Sequence, residues 1–544
     1  MADLTPITDW TADDVQHLAR RAGFGVSPEA AATLAATPPA TAIPAWISGA
    51  GLDAGPFEAA LARADPVDEE ARSGAAAVAG PHPFLVQGAH AWRNDLGRAQ
   101  AYCAFRMQYG PYAMQERLAL FWHNLFATGW QKVESVALML QQLETLRALG
   151  LARFEDLHVA ISKDPAMCLW LDSVLNRANG DNVPNENYAR EAMELYSLGA
   201  DNGYNQQDIT ELARALSGWS FTVRPADVVR PPDGSFRTAA RATFRVYDGS
   251  ANAELLWNDL GAAAPPAALP NFRATGGATF LGQLFADVNA PPEGMAKGEH
   301  VLRAIVPQRG PQVAQFLARR LVQHFVTGAP AQADLDDVAT MIHADAGFDL
   351  RVALERLLSS RWFFDPANRF ALVEGPVSWT VRAARALGYP LAQAAGATAA
   401  TNRFPAWAIV ADFFDAAGMR LLDPAGPNGW KEDVAWLNSG TARFRTRLAA
   451  ALALGETFRQ GGVDRAIFPS DPDAWFPAPP ASAAAVLARL VQLLQPAPIP
   501  DAVAADWLAR VWPPETAFAW DDDGRRRARA LAFLVLCSPS AQLY

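Results

Sequence analysis

Apolar side chains recur at three- and four-residue intervals along most of the chain. Val136, Leu140, Leu143, Leu146 and Leu149 form one such series, and Phe316, Leu317, Leu321 and Phe325 form another. That spacing places each series on one face of a helix, and its persistence predicts an all-α protein: a large multi-helix single globular body with little β-structure. The pattern fails over residues 225–298, where Pro, Gly and Ala surround short β-like pieces such as ATFRVYD. A run of that length without helical periodicity is characteristic of a lid, a binding loop or an insertion. The chain therefore divides into an N-terminal helical part, residues 1–224, an irregular insertion or lid, 225–298, and a C-terminal helical part, 299–544, packed on the first. A second break, Asp65 to Pro83, is rich in Ala, Gly and Pro and reads as an exposed loop.

The densest chemistry lies from Pro184 to Trp219. Asn185 is placed to cap a helix that runs to about Leu198 and stops at Gly199. On that helix Glu186, Arg190 and Glu194 follow at intervals of four, and Glu191 lies one turn-step from Glu194, giving an acidic stripe with one arginine. A second helix begins at Asn205, with Asp208 in capping-box position, and ends near Gly218. Two such helices joined by a short loop can turn their carboxylates toward one another, which suits general acid/base work or a divalent metal. The plainer alternative is a solvated face of weak ion pairs, with Asp208 serving only as a cap. No Glu-x-x-His pair accompanies the stripe, so no metal ligand is assigned.

Composition narrows the classes. A net charge of −11 argues against a nucleic-acid surface, and the basic run Arg525, Arg526 and Arg527 follows Asp521, Asp522 and Asp523. The three cysteines, Cys103, Cys168 and Cys537, sit in apolar helical contexts and read as small core residues rather than a disulfide framework. The opening MADLTPITDWTADDV has no basic start followed by an apolar run, so a cytoplasmic location is expected, with periplasmic export alongside a partner as the alternative. No membrane-spanning run is present in the sequence. Nucleophile elbows, phosphate loops, dinucleotide fingerprints and zinc signatures are also missing from it.

The segment Asn185, Glu186, Asn187, Tyr188, Ala189, Arg190 and Glu191, followed by Tyr204 and Asp208 and then Ala215, Leu216, Gly218 and Trp219, resembles the signature of the bacterial domain-of-unknown-function 1800 family. Other blocks follow in the family's order: HLARRAGFG from His17, ERLALFWHNLFATG from Glu116, KDPAMCLWLD from Lys163, FLARRLVQHFV from Phe316, and the late PNGW with Trp436 after it. The resemblance implies a helical fold and leaves the biochemistry unassigned. It also marks departures. Leu125, Tyr196 and the pair Ala274 and Thr275 stand where many relatives carry histidines and an aspartate, so a metal site built from those groups would be lost here.

Two functional readings follow. In the first, the chain is a hydrolase or lyase acting on a polar or carbohydrate-like substrate. Glu191, Glu194, His123, Glu186 and Asp208 are then the catalytic candidates, and Arg190, Tyr188, Trp219 and Trp122 the substrate-binding ones. In the second, it is a non-catalytic helical scaffold or binding protein with a degenerate metal site. The resemblance supplies a candidate partner for that reading, a domain-of-unknown-function 1501 protein. The histidine His324, between apolar neighbours, and the loop DPAGPNGWKEDVAWLNSG are read as core or ion-pair residue and rigid aromatic turn respectively.

Overall fold

The computed structural model describes residues 1–53, 55, 57, 96–178, 181–222, 228–229, 237–238, 242–247, 271–388, 414–455, 458–460, 463–465 and 470–544. The loop expected at 65–83 lies outside them. Within the described residues the protein is mostly helical, and its β-structure is confined to short antiparallel two-stranded ladders. One of these pairs Trp219–Thr222 with Thr243–Val246, and another pairs Ala278–Phe280 with Gln283–Phe285. Among the described residues, no helix is long and apolar enough to cross a membrane.

Helix starts follow their local chemistry. Thr11 and Asp14 form a capping box before Ala12–Arg21, Ser27 caps a helix that opens on Pro28, and Asp164 caps one that opens on Pro165. Ala113–Leu125 packs against Val136–Leu149, Gly310–Phe325 against Gln332–Thr340, and Ser439–Leu454 against Asp522–Cys537. One apolar cluster runs from Leu18 to Leu536 and draws on 1–224, 225–298 and 299–544 alike. A smaller one gathers Val373, Trp430 and Trp436. The three cysteines are unpaired, and burial raises each thiol's pKa, for Cys103 to about 11.

The interior also holds charge. Glu116 is buried, and its carboxylate receives Arg106 Nε at 2.6 Å and Arg147 Nε at 2.9 Å. Glu374 is likewise buried against Arg382, at 2.8 Å. Such pairs contribute little net stability when intact, but removing one partner costs about 3–5 kcal/mol because the other charge is left in a dry site.

Candidate functional site

The acidic helix pair forms, with shorter bounds than the sequence suggests. The first helix spans Asn187–Glu194, residues 195–198 form a turn, and Gly199 takes φ +94°. Asn185 Oδ1 accepts from the Asn187 amide, and the Asn185 amide is itself tied to Asn176. The second helix spans Gln206–Ala215, with the Asn205 and Asp208 capping box in place.

Most of the polar groups here have structural partners. Glu186 accepts from Thr210 Oγ1 at 2.8 Å and Gln206 Nε2 at 2.8 Å, and pairs with Arg190 at 3.2 Å. Burial raises its pKa, but those hydrogen bonds and the Arg190 charge outweigh it and hold the carboxyl below its usual value. Asp208 is occupied on both oxygens, one by the Asn205 amide at 3.0 Å and the other by the Leu281 amide at 2.7 Å. It thus joins residues 271–298 to the helix pair, and Arg214 adds a bond to the Thr275 carbonyl at 3.1 Å. Glu191 and Glu194 differ: among the described residues neither side chain has a hydrogen bond or ion pair. Burial and the neighbouring Glu194 charge raise the Glu191 pKa.

The aromatic candidates and the histidine lie in the core. Trp122 donates to the Gly150 carbonyl at 3.0 Å, Trp219 donates to the Lys297 carbonyl at 2.7 Å, and the Tyr188 hydroxyl bonds to Ser162. His123 is buried with both ring nitrogens unpartnered, its ring edge-on to Trp430 at 5.2 Å, and burial lowers its pKa to about 4. The groups that set its pKa are its burial and Gln142; none of the acidic helix carboxylates is among them. Glu116, two turns before it, is buried and committed to Arg106 and Arg147.

A different place collects the motif blocks. A cavity of about 50 Å³ is lined by Asn124 from FWHN, His324 from RLVQHF, and Trp430, Glu432 and Trp436 from the PNGW loop, with Arg117 beside them. Asn124 and His324 occupy the last turns of Ala113–Leu125 and Gly310–Phe325. Asn124, one residue past the core-facing His123, organises the loop. Its Oδ1 accepts from the Trp430 amide at 2.6 Å, and its Nδ2 donates to Glu432 Oε1 at 3.1 Å. Gly429 makes that approach possible. It takes φ +76°, and a Cβ there would lie 2.3 Å from the Asn124 carbonyl oxygen. Asp433, at φ +50°, accepts from the Val373 amide at 2.7 Å and pins the loop's far side.

His324 Nδ1 lies 3.3 Å from Glu432 Oε1. A carboxylate only accepts, so the geometry assigns the proton to Nδ1 and leaves a lone pair on Nε2 in the neutral ring. Nε2 is buried and unpartnered, as are Trp430 Nε1 and Arg117 Nε. Burial lowers the His324 pKa; the Glu432 hydrogen bond opposes this, and the Arg117 and Arg21 charges add to it. Burial raises the Glu432 pKa, but His324, Arg320 and Asn124 together hold it below its usual value. Arg117 is fixed by Ser378 and by the Tyr544 hydroxyl at 2.7 Å, and both Arg21 and Arg117 lie over the Tyr544 ring, at 4.7 and 5.1 Å.

The sequence reading does not include Asn124, Arg117, Trp430 and Glu432 among its candidates and takes His324 for a core or ion-pair residue, the second of which matches its contact with Glu432. Their signal was present, because every one lies in or beside a quoted block, but spacing along one helix cannot reveal convergence between helices. Among the described residues, no group of three or more His, Cys, Asp or Glu side chains is arranged to hold a metal ion.

No curated protein and no solved structure matches the chain. The model of the family described as "Protein of unknown function (DUF1800)" matches residues 17–543, and the chain belongs to that family.

Proposed function

We propose that the protein is a hydrolase or lyase whose acid–base chemistry on a polar small molecule is performed by His324 in the Asn124, Trp430 and Glu432 pocket. The observation that carries this reading is the orientation of His324, a residue that lines a cavity built from separate motif blocks: Nδ1 faces Glu432 and the buried Nε2 is left without a partner. A neutral imidazole held in one tautomer by a carboxylate is competent to remove a proton. Glu432 is a positioning residue here, and Asn124 holds it. The same arrangement serves a water-activating hydrolysis or a proton abstraction that leads to elimination.

A second reading keeps the chemistry on Glu191 and Glu194, the carboxylates left without partners on the Asn187–Glu194 helix, where Glu191 has a raised pKa. One experiment separates the two. A panel of chromogenic esters, phosphoesters and glycosides is assayed with the wild type, His324→Gln, and the double variant Glu191→Gln, Glu194→Gln. Loss of turnover in His324→Gln alone supports the pocket, and loss in the double variant alone moves the chemistry to the helix pair. Absence of turnover across the panel counts against both and favours a non-catalytic helical scaffold, for which pull-down with a domain-of-unknown-function 1501 protein is the next measurement.

A further inference from the structure

The unpartnered atoms around the pocket have a chemical sense. The Trp430 indole and the Arg117 guanidinium carry donors and no acceptors. Both residues are buried, Trp430 at 7% and Arg117 at 1% exposure, and each keeps one N–H without a partner: Nε1 of Trp430 and Nε of Arg117. A buried donor without an acceptor costs about 1–3 kcal/mol, so native proteins rarely leave two at one site unless something else fills the need. The acidic side chains beside them are each engaged through one oxygen: Glu432 Oε1 by Asn124 and His324, Asp433 Oδ1 by the Val373 amide. Lys431 adds a further cation to the lining, and the Arg21 guanidinium stands behind Tyr544.

We propose that this pocket binds an oxyanion, the carboxylate or phosphoryl group of the substrate, through Trp430 Nε1, Arg117 Nε and the Lys431 ammonium. The inference rests on the pocket being the substrate site and names the charge class of what enters it. A volume of about 50 Å³ admits a headgroup and little more, so the rest of the ligand lies outside the cavity. Guanidinium and indole N–H donors suit planar or tetrahedral oxyanions, and their positive character disfavours a metal cation in the same space. With the anion seated, His324 Nε2 is the base that takes a proton from a carbon next to the anionic group, whose bonding pair then expels the leaving group, or from a water that attacks the ligand.

The test is calorimetric titration of the full-length protein with sodium acetate, inorganic phosphate and, as the neutral counterpart of acetate, acetamide. One-site saturable binding of acetate or phosphate without binding of acetamide is expected, and the anion that binds identifies the headgroup. Trp430→Phe, which keeps the ring and deletes the N–H, should weaken that anion roughly ten-fold, the effect of one hydrogen bond to a charged group. Lys431→Met should weaken it less and steepen no salt dependence, because that charge is then gone. Equal binding of all three probes, binding of none, or unchanged affinity in Trp430→Phe would overturn the proposal. His324→Gln distinguishes the two levels: it should abolish turnover while leaving anion binding in place. If it abolishes turnover in a protein that binds no anion, only the charge class falls. If turnover survives it, the catalytic reading falls.

Discussion

His324 Nδ1 and Glu432 Oε1 stand 3.3 Å apart across 108 residues of chain, and Asn124 bonds to the same carboxylate oxygen from a third segment. Helix, helix and loop therefore meet at one atom. The ring is thereby oriented with Nδ1 toward Glu432, which is the orientation the proposed base requires.

The pH dependence of turnover follows from the sign of the shift. Burial depresses the His324 pKa below 6.5, so the imidazole is neutral and competent at pH 7. Turnover should rise with pH along a limb whose midpoint lies below 6.5, then level off. His324→Gln should lower kcat by roughly 10²–10⁴-fold. Glu432→Gln should lower it by roughly 10–100-fold. Because Glu432 raises the imidazole pKa, its replacement should also move the limb to lower pH. Measurement of kcat/KM against pH checks both, and a limb that stays where it was would separate Glu432 from the base.

Stability should also vary with pH through buried groups other than His324. Burial lowers His123 and His158 to about 4, so the unfolded chain binds more protons between about pH 4 and 6.5. Their contribution is fully present above pH 6.5 and lost as pH falls, on the order of 3 kcal/mol each. Asp164 acts in the opposite sense. Burial raises it to about 7 despite hydrogen bonds from Met167 and Gln142, so its contribution is present below the unfolded value of 3.8 and lost as pH rises toward 7. Asp164→Asn keeps an oxygen for both donors and removes the charge. Thermal scans from pH 5 to 8.5 should show the variant gaining on the wild type as pH rises, and parallel curves would contradict this.

Gly429→Ala should destabilise the protein by about 2 kcal/mol or more, because it combines a left-handed backbone with a Cβ driven into Asn124. Denaturant titration measures the loss. The same variant should bind acetate and phosphate more weakly, since Trp430 is carried by the displaced loop.

Glu194→Gln should be neutral to mildly stabilising, by up to about 0.5 kcal/mol, since it relieves the repulsion that contributes to raising the Glu191 pKa. If the pocket carries the chemistry, turnover should be unchanged. Lost turnover without lost stability would favour the acidic helix.

Local rules in the sequence were reliable for the elements. The caps at Ser27, Asp164 and Asn205 stand where residue chemistry puts them, whereas Glu186 rather than Asn185 holds the N-cap of Asn187–Glu194, and that helix and Gln206–Ala215 end before Gly199 and Gly218. The all-α reading follows from the same periodicity. The site was less legible because chemistry clustered in sequence need not cluster in space. Asp208 and Glu186 spend their charge on caps and neighbouring side chains, and His123 turns into the core while Asn124, the next residue, turns to the cavity. His324 read as a core or ion-pair residue because its helix face is largely apolar; its partner Glu432 lies in a loop that no spacing rule could bring to it. Block resemblance held part of the missing information, since the matching segments that contain Asn124, His324 and Trp430 converge on the cavity, while the segment from Asn185 to Trp219 supplies none of its lining.

Asn124 holding Trp430 has a consequence for how the molecule can be divided. Residues 117–124, 323–324, 372–378 and 419–436 all supply walls to one small hollow, so no contiguous fragment contains it. The proposed binding place comes into being only after distant stretches have condensed together, and limited digestion between them should extinguish anion binding in a single step rather than by degrees.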